Sequence, residues 1–479
     1  MDSEVVLFGA GKRCKNLCRI LRQTNIKIVS IIDSDPYKQG RRLEGYEISA
    51  PNKMKYYLYC NLCITVADYY TVNQIRRKLK DWYHYELDRE ISYNELIIKA
   101  YNENFEVNNM ILNNIFYNKR ESTILFDCCY GLDLGGIESW TIDLCGNLLK
   151  DGIKDIYIIS DNGDYQVPEL IEKQIICVDI EHDVGFSMSS ILHITKNIMK
   201  RMPCKVVTRT TDEVMLAAYL IKKHYPDKIE VISVIHGGNE RIYKEYIDFR
   251  ECTDIYVAVS LDIKEEMISR GVESGKIYSM TCPFSCTPTL ERNYTEDISL
   301  PIRIGYAGRM ENSQKRMDLL VELIKVLEKK GICYYMELAG DGLAKKELEN
   351  FIIYNKLCEK VCFLGRLERT DLPAFWKRQD ICVNLADYEG RSISIIEAMG
   401  NGVVPVVTRT SGVREDILDG LNGYIVPLGD YHTMAARIAF LYRHREKLHM
   451  MGKLAHDVVY PKSLMEPHIE FWKKILNLK

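Results

Sequence analysis

Short apolar runs alternate with amphipathic stretches along most of the chain, and three times the pattern restarts from an apolar run followed by glycines. The first start is Val5–Phe8, then Gly9-Ala10-Gly11, a helical stretch to about Gln23, and a second run, Ile28–Ile32, closed by Asp33. This predicts a β-α-β unit. Residues 81–118 are polar, rich in Tyr and Asn and free of Gly and Pro, with apolar residues at helical spacing in Leu96-Ile97-Ile98 and Met110-Ile111-Leu112. They predict a helical connector. The second start runs from Thr123–Phe126 into Gly131 to Gly136, with helical periodicity from Trp140 to Leu149. Strands are then expected at Ile156–Ser160, Ile175–Asp179, Val206–Thr208, Ile229–Ile235 and Ile255–Ser260, with a helix at Asp212–Lys223. The third start, Ile302–Tyr306, leads to further strands at Tyr335–Ala339, Val361–Phe363, Ile381–Leu385 and Val404–Val407. Apolar strands spaced by helices predict α/β domains built on parallel sheets covered on both faces.

The 479 residues exceed what one core supports, at about 100–200 residues per domain. The expected organisation is a Rossmann-like domain over 1–80, the connector over 81–118, two larger α/β domains over 119–297 and 298–455, and a C-terminal helix over 456–479 that packs back on the 119–297 domain. A formal charge of −3 removes the strong basic field that gathers nucleic acid, so no nucleic-acid partner is expected. The start, Met1-Asp2-Ser3-Glu4, is acidic where a signal peptide is basic, and the expected location is the cytoplasm. Sixteen cysteines lie largely within apolar runs, as Cys145 and Cys382 do, and read as core thiols. The alternative is a metal site assembled from Cys14, Cys18, Cys60 and Cys63. It is disfavoured because Cys63 opens the apolar run Ile64-Thr65-Val66.

The chemistry concentrates late in the chain. Arg309 follows a strand end and Lys315 stands six positions on, so a guanidinium fork and a point charge reach the mouth of one sheet, as suits a diphosphate. Glu389 then precedes a polar turn and a helix carrying Glu397, which leaves the N–H groups of Ile393 and Ser394 at a helix N-terminus, a ready anion site. Lys315 and Glu397 are both expected to face solvent. Earlier, Gly135-Gly136 sit at a strand-to-helix turn and His236 at a strand end, where parallel sheets bind ligands. In the first unit Asp33 stands 22 positions after Gly11, as in dinucleotide folds, but Cys14 occupies the third glycine position.

From about Ile124 onward the sequence resembles glycosyltransferase family 4, the retaining enzymes of GT-B fold. The resemblance rests on Glu389-x7-Glu397, on the run Ala398-Met399-Gly400-Asn401-Gly402-Val403-Val404-Pro405, on Glu415, Gly420 and Asn422-Gly423, and on Gly135-Gly136-Ile137-Glu138, His236-Gly237, Ala307-Gly308-Arg309, Ala339-Gly340-Asp341-Gly342 and Gly365-Arg366. It implies two facing Rossmann-like domains with a cleft between them, preceded here by the small N-terminal one. It also implies roles. Glu397 would hold the donor ribose, Glu389 the sugar hydroxyls, Arg309 and Lys315 the diphosphate, and Gly136 its approach. His236 would touch the transferred sugar, and Gly365-Arg366 would border the base. The chain departs from the family pattern at Arg316, where glycine is usual, at Cys282-Pro283, and at Arg391, whose charge is expected to meet an anionic donor or acceptor group. Separately, Phe8-Gly9-Ala10-Gly11 with Ile32-Asp33-Ser34-Asp35-Pro36, Gly40, Gly45 and Pro51 resembles the N-terminal domain of bacterial amino-sugar acetyltransferases, although no hexapeptide repeats follow.

The expected activity is retaining, metal-independent transfer of a hexosyl or N-acetylhexosaminyl unit from a nucleotide sugar, UDP-linked by preference, with no cofactor. No Asp-x-Asp motif stands beside the site. Acceptors of this class are glycans, lipid-linked saccharides or cell-surface polymer precursors, which would bring the protein to the inner face of a membrane as a peripheral partner. Two alternatives are a nucleotide-sugar sensor without turnover and an NAD-dependent nucleotide-sugar oxidoreductase or epimerase using Gly9, Gly11 and Asp33. The latter lacks a Tyr-x3-Lys pair linked to that unit and leaves the Glu389 region unexplained.

Overall fold

A computed structural model of the chain describes residues 4–66, 69–85, 87–112, 122–132, 136–161, 163, 165, 167–180, 185–210, 212–292 and 294–478. It divides into two compact units, residues 1–234 with 240–256 and residues 235–239 with 257–479.

The first unit opens with β1 (Glu4–Phe8), β2 (Lys27–Ile32), β3 (Arg42–Leu43), β4 (Tyr46–Ser49) and β5 (Asn61–Ile64), in the sheet order β3-β4-β2-β1-β5. All pairs are parallel except β3 with β4. Helix α1 (Lys12–Leu21) crosses from β1 to β2 and buries Cys14, Leu17, Cys18, Ile20 and Leu21, so those thiols pack as small hydrophobes. The next helix, α2 (Tyr69–Tyr83), runs through the expected boundary at residue 80.

The connector is not a tether. It folds as α3 (Tyr93–Asn102) and α4 (Phe105–Leu112), which pack on the helices Met188–Met199, Glu213–His224 and Glu240–Asp248 of the following domain. Leu96, Ile97, Tyr101, Val107 and Ile111 are buried there. A joint around Gly185-Phe186 adds polar ties, since Asn16 Nδ2 donates to the Gly185 carbonyl at 2.6 Å and Tyr101 Oη to that of Phe186 at 2.7 Å. Residues 113–118 of the expected connector lie outside the described residues.

The second sheet includes β6 (Thr123–Cys128), β7 (Ile156–Ser160), β8 (Ile175–Cys177), β9 (Cys204–Thr208) and β10 (Ile229–Ile235), adjacent in the order β10-β9-β6-β7-β8 and paired in parallel. Helix α5 (Gly136–Lys150) follows β6.

The second unit is built on β11 (Ile302–Ala307), β12 (Tyr334–Ala339), β13 (Val361–Gly365), β14 (Ile381–Asn384), β15 (Val404–Thr408) and β16 (Tyr424–Val426). Their order is β13-β12-β11-β14-β15-β16, all parallel. The chain reverses direction across the sheet between β11 and β14. That is the switch point at which parallel sheets open a crevice beyond their carboxyl ends. Leu320, Leu323, Ile324 and Leu327 of the helix Met317–Lys329 join the apolar strand residues in one core, each such side chain contributing about 1.5–3 kcal/mol on burial. The expected single C-terminal helix is two, Glu446–Val459 and Met465–Ile475, and the break between them is tied to Thr281–Phe284, with Phe284 N–H donating to the Ser463 carbonyl at 2.8 Å.

At the carboxyl edge three glycine loops are layered. Gly308 N–H donates to the Ala339 carbonyl at 3.0 Å and Gly340 N–H to that of Gly365 at 2.7 Å. Gly340 has φ +136°, and a Cβ there would lie 1.9 Å from the Gly308 carbonyl oxygen. Gly340→Ala is therefore expected to cost about 1–3 kcal/mol through forced displacement of that loop, whereas Gly275→Ala, with open space around it, is close to neutral. Thermal unfolding midpoints of the two variants check this; equal midpoints would contradict the layered packing.

Candidate active site

The site grows from the ends of β11 and β14. Tyr306, buried at the end of β11, donates its hydroxyl to the Arg309 carbonyl at 2.7 Å, and burial pushes its pKa up, so it stays protonated as a donor. This fixes the backbone from which Arg309 projects. Arg309 itself is exposed, with Nη2 donating to Gln314 Oε1 at 3.0 Å and lying 3.4 Å from Glu311.

Lys315 and Glu389, to which the sequence gives separate roles, are ion-paired with each other. Their side chains are 13% and 9% exposed, so Lys315 is recessed and does not face solvent as expected. Two amides complete the shell around Glu389. Asn384 Nδ2 donates to Oε1 at 3.2 Å, and Gln314 Nε2 donates to Oε2 at 3.4 Å and to the Tyr388 carbonyl at 3.0 Å. Asn384 also lies 3.5 Å from Ser392 Oγ, the cap residue of the helix Ile393–Gly400, so one side chain spans the carboxylate and the helix N-terminus. The first-turn N–H groups of Ile393 and Ser394 lack carbonyl partners within their own helix, as at any helix start, and lie next to this cluster.

The residue after Lys315, where the family pattern has glycine, adopts φ +55°. Arg316 tolerates this left-handed backbone while its Nη1 donates to both carboxylate oxygens of Asp387 at 2.9 Å.

His236, directly after β10, meets the same turn through its backbone. A Cβ on Gly390 would stand 2.1 Å from the His236 carbonyl oxygen, so only glycine admits this approach. Gly308 and Gly365 lie in the layered loops, and Arg366 is exposed beyond β13. Gly136 belongs to the other unit, where it opens α5. Gly135 lies outside the described residues.

Glu397 is buried, not solvent-facing, on the inner side of the helix Ile393–Gly400. Burial raises its pKa above the ordinary carboxylate value, opposed by hydrogen bonds from Ser285. Oε1 has no hydrogen-bond partner among the described residues, which leaves one acceptor for a ligand hydroxyl.

Arg391 corrects an expectation. It adds no free charge beside the sugar pocket, because Nε and Nη2 bind Asp416 at 2.9 and 2.6 Å and Nη1 lies 3.6 Å from Glu415. Burial alone would pull its pKa down, and the Asp416 carboxylate outweighs that. Lys462 joins Asp416 at 2.8 Å, and Glu415 accepts from Leu261 N–H at 2.6 Å. Asp416 and Asn384 carry no motif of their own. Asn384 was recoverable as the single polar residue closing an apolar strand, but Asp416 is visible only in three dimensions.

A three-ligand cluster exists elsewhere. Asp127, Cys129 and Asp212 in the first unit have ligand atoms within 4.8 Å of one another and are buried. Burial and then the Asp212 charge raise Asp127 well above the usual carboxylate range. Asp212 caps the helix Glu213–His224, with Oδ1 accepting from Val214 N–H at 3.0 Å. In the first domain, Asp33 Oδ2 accepts from Ala10 N–H at 2.7 Å and from Lys38 at 3.1 Å, so the acid that would take a dinucleotide ribose holds the glycine turn instead.

Asp416→Asn is expected to cost about 3–5 kcal/mol, because it removes the carboxylate that Arg391 binds through two hydrogen bonds and leaves the buried guanidinium to the more distant Glu415. The double variant Arg391→Met/Asp416→Leu should recover part of the loss. Denaturation midpoints decide it, and a double variant no better than Asp416→Asn would contradict the pairing.

Residues 297–458 match the family model described as glycosyl transferases group 1, and residues 1–91 match one described as C2185-like, N-terminal. Among curated relatives, the N-acetyl-alpha-D-glucosaminyl L-malate synthase of Bacillus anthracis is 22% identical over 276 residues, 54% of this chain and 71% of that protein. The poly(ribitol-phosphate) alpha-N-acetylglucosaminyltransferase of Staphylococcus aureus is 27% identical over 175 residues, 36% of this chain and 35% of that protein. An uncharacterized glycosyltransferase of Methanocaldococcus jannaschii is 26% identical over 29% of this chain, and the chain spans 38% of its length. Among solved structures, the HepE protein of Anabaena in complex with UDP and glucose aligns with TM-score 0.61 at 16% identity, covering 74% of this chain and all of that one. The pneumococcal O-GlcNAc transferase GtfA in complex with UDP and GlcNAc aligns with TM-score 0.60 at 14% identity, covering 75% and 99%. The chain thus has the GT-B fold with an additional N-terminal sheet, and its residues 297–458 are similar to the group 1 glycosyl transferases.

Proposed function

We propose that this protein transfers a sugar from a nucleoside-diphosphate sugar, UDP-linked, to a hydroxyl of a glycan, lipid-linked saccharide or surface-polymer precursor, with retention and without a metal ion. The observation that carries the reading is the convergence of Lys315, Glu389 and the N-terminus of the helix Ile393–Gly400 at the switch point of the six-stranded sheet. The UDP and sugar named with the similar structures support the donor class, and the N-acetylglucosaminyl relatives support a hexosyl or N-acetylhexosaminyl unit.

In this reading Lys315 exchanges Glu389 for the diphosphate, with Arg309 and the helix N–H groups sharing the charge that develops on the leaving phosphate. Glu389, still held by Asn384 and Gln314, accepts from donor-sugar hydroxyls. The carboxylate lies on the diphosphate side with its lysine, not opposite it, so the acceptor hydroxyl attacks the face the phosphate leaves and passes its proton to the departing oxygen. His236 lines the approach of the sugar. Glu397 holds the ribose, Gly365 and Arg366 border the base, and Arg391 positions the Glu389 turn. Among the described residues no helix is long and apolar enough to cross a membrane.

Isothermal titration with UDP and UDP-sugars, with anomeric assignment of the product by NMR, tests the reading; no binding to any of them, or an inverted product, would overturn it. Lys315→Ala is expected to weaken UDP by about 1.5–3 kcal/mol, the worth of a charge-assisted hydrogen bond. Turnover should persist in excess chelator.

Glu397 supplies a pH test. An ionised carboxylate accepts ribose hydroxyls better than a protonated one, and its folded pKa is raised above 4.5. UDP affinity should therefore rise with pH from 4.5 upward until the group is ionised. For folding the sign is opposite: the protonated form is favoured in the native state, so its stabilising contribution is present below 4.5 and is lost as pH rises through the raised value. Glu397→Gln should flatten both profiles, and an unchanged UDP profile in that variant would contradict the ribose role.

A further inference from the structure

The N-terminal domain contains a cavity that the donor site does not use. It has a volume of about 250 Å³ and lies beyond the carboxyl ends of β1, β2 and β4, marked by Phe8, Ser34 and Pro51, under helix α2. That is where parallel sheets place ligands. Its walls are of two kinds. Trp82, Tyr83 and Leu79 offer apolar faces, while Ser34, Thr71 and Gln74 offer groups that both donate and accept. Among the described residues Lys78 is the one charged side chain in the lining, and its ammonium stands 5.4 Å from the Trp82 ring centroid.

Three features narrow the ligand. The volume falls below the ~300–1,000 Å³ of sites for drug-sized molecules, so the cavity suits one ring and not a dinucleotide. The glycine turn gives the Ala10 N–H to Asp33, and the start of α1 is engaged elsewhere, with Arg13 over Tyr93 at 5.1 Å and Asn16 on the Gly185 carbonyl. None of Gly9, Ala10 and Gly11 lines the cavity, so its ligand does not draw on the glycine turn. Finally, an exposed indole beside a lysine and several hydroxyl or amide groups matches a polyhydroxylated ring with an apolar C–H face and a negative substituent. Trp82 is 65% exposed, an unusual position for so large an apolar ring, with Lys78 the charged group beside it.

We propose that this cavity is a second, non-catalytic saccharide site that takes a single pyranose ring bearing a carboxylate or phosphate, stacked on Trp82 with its anion toward Lys78. Such a site would hold an acidic sugar of the glycan being extended, on a domain separate from the donor machinery.

Trp82 also supplies the probe. The other tryptophans, Trp140, Trp376 and Trp472, are buried, so acrylamide quenching of the emission reports chiefly on Trp82. The full chain, saturated with UDP, is titrated with glucuronic acid, glucose 6-phosphate, glucose and UMP. Glucuronic acid and glucose 6-phosphate are expected to protect the emission saturably, with glucose about tenfold weaker. Lys78→Ala should weaken glucuronic acid about tenfold with an unchanged melting temperature, as expected for an exposed side chain. In Trp82→Phe, saturation-transfer NMR of the sugar protons replaces the lost signal and should show weaker binding. No saturable protection by either acidic sugar, equal midpoints for glucose and glucuronic acid, an unaffected Lys78→Ala variant, or tighter binding of UMP would each overturn the assignment. UDP binding measured on the same samples reports the donor site independently.

Discussion

The recessed ion pair between Lys315 and Glu389 is the interaction on which the rest of the C-terminal unit depends. Two charges withdrawn from water must satisfy one another, and removing either one leaves the other exposed to a desolvation cost of about 3–5 kcal/mol. The pair accounts for Asn384 at the end of an apolar strand and for Gln314 turned inward, since both amides donate to the Glu389 carboxylate. It also makes the site reciprocal. A ligand that supplies negative charge to Lys315 and hydroxyl donors to Glu389 replaces the internal pair without leaving either group unpaired.

A second constraint holds that pair in place from behind. Gly390 lets the Glu389 turn lie against the His236 carbonyl, and Arg391 anchors it to Asp416, which Lys462 from the C-terminal segment also contacts. The same segment ties to Thr281–Phe284, next to Ser285, which donates to Glu397. Both glutamates of the Glu-x7-Glu motif are thus fixed by partners distant in sequence, one through a buried arginine and the other through a serine.

The parallel sheets were legible because strands buried on both faces are written as short apolar runs, and each predicted strand from Ile156 to Val407 has a counterpart within a few residues. The short strands Arg42–Leu43 and Tyr424–Val426 left too little periodicity to read. The connector expected over 81–118 contains the helices α3 and α4, but what they pack on was not legible, since helical spacing shows that an apolar face exists and not what covers it. Lys315, Glu389 and Glu397 stood out by motif. Their burial did not, because charged residues near glycines and a turn read as surface. Arg391 was misjudged for a similar reason: its counter-ion lies 25 positions away.

The most direct measurement is the position of Lys315 in a crystal structure of the complex with UDP. The Nζ of Lys315 is expected to leave Glu389 and bind an oxygen of the β-phosphate, with Asn384 and Gln314 still on the carboxylate. An intact Lys315–Glu389 pair with the diphosphate bound elsewhere would contradict it.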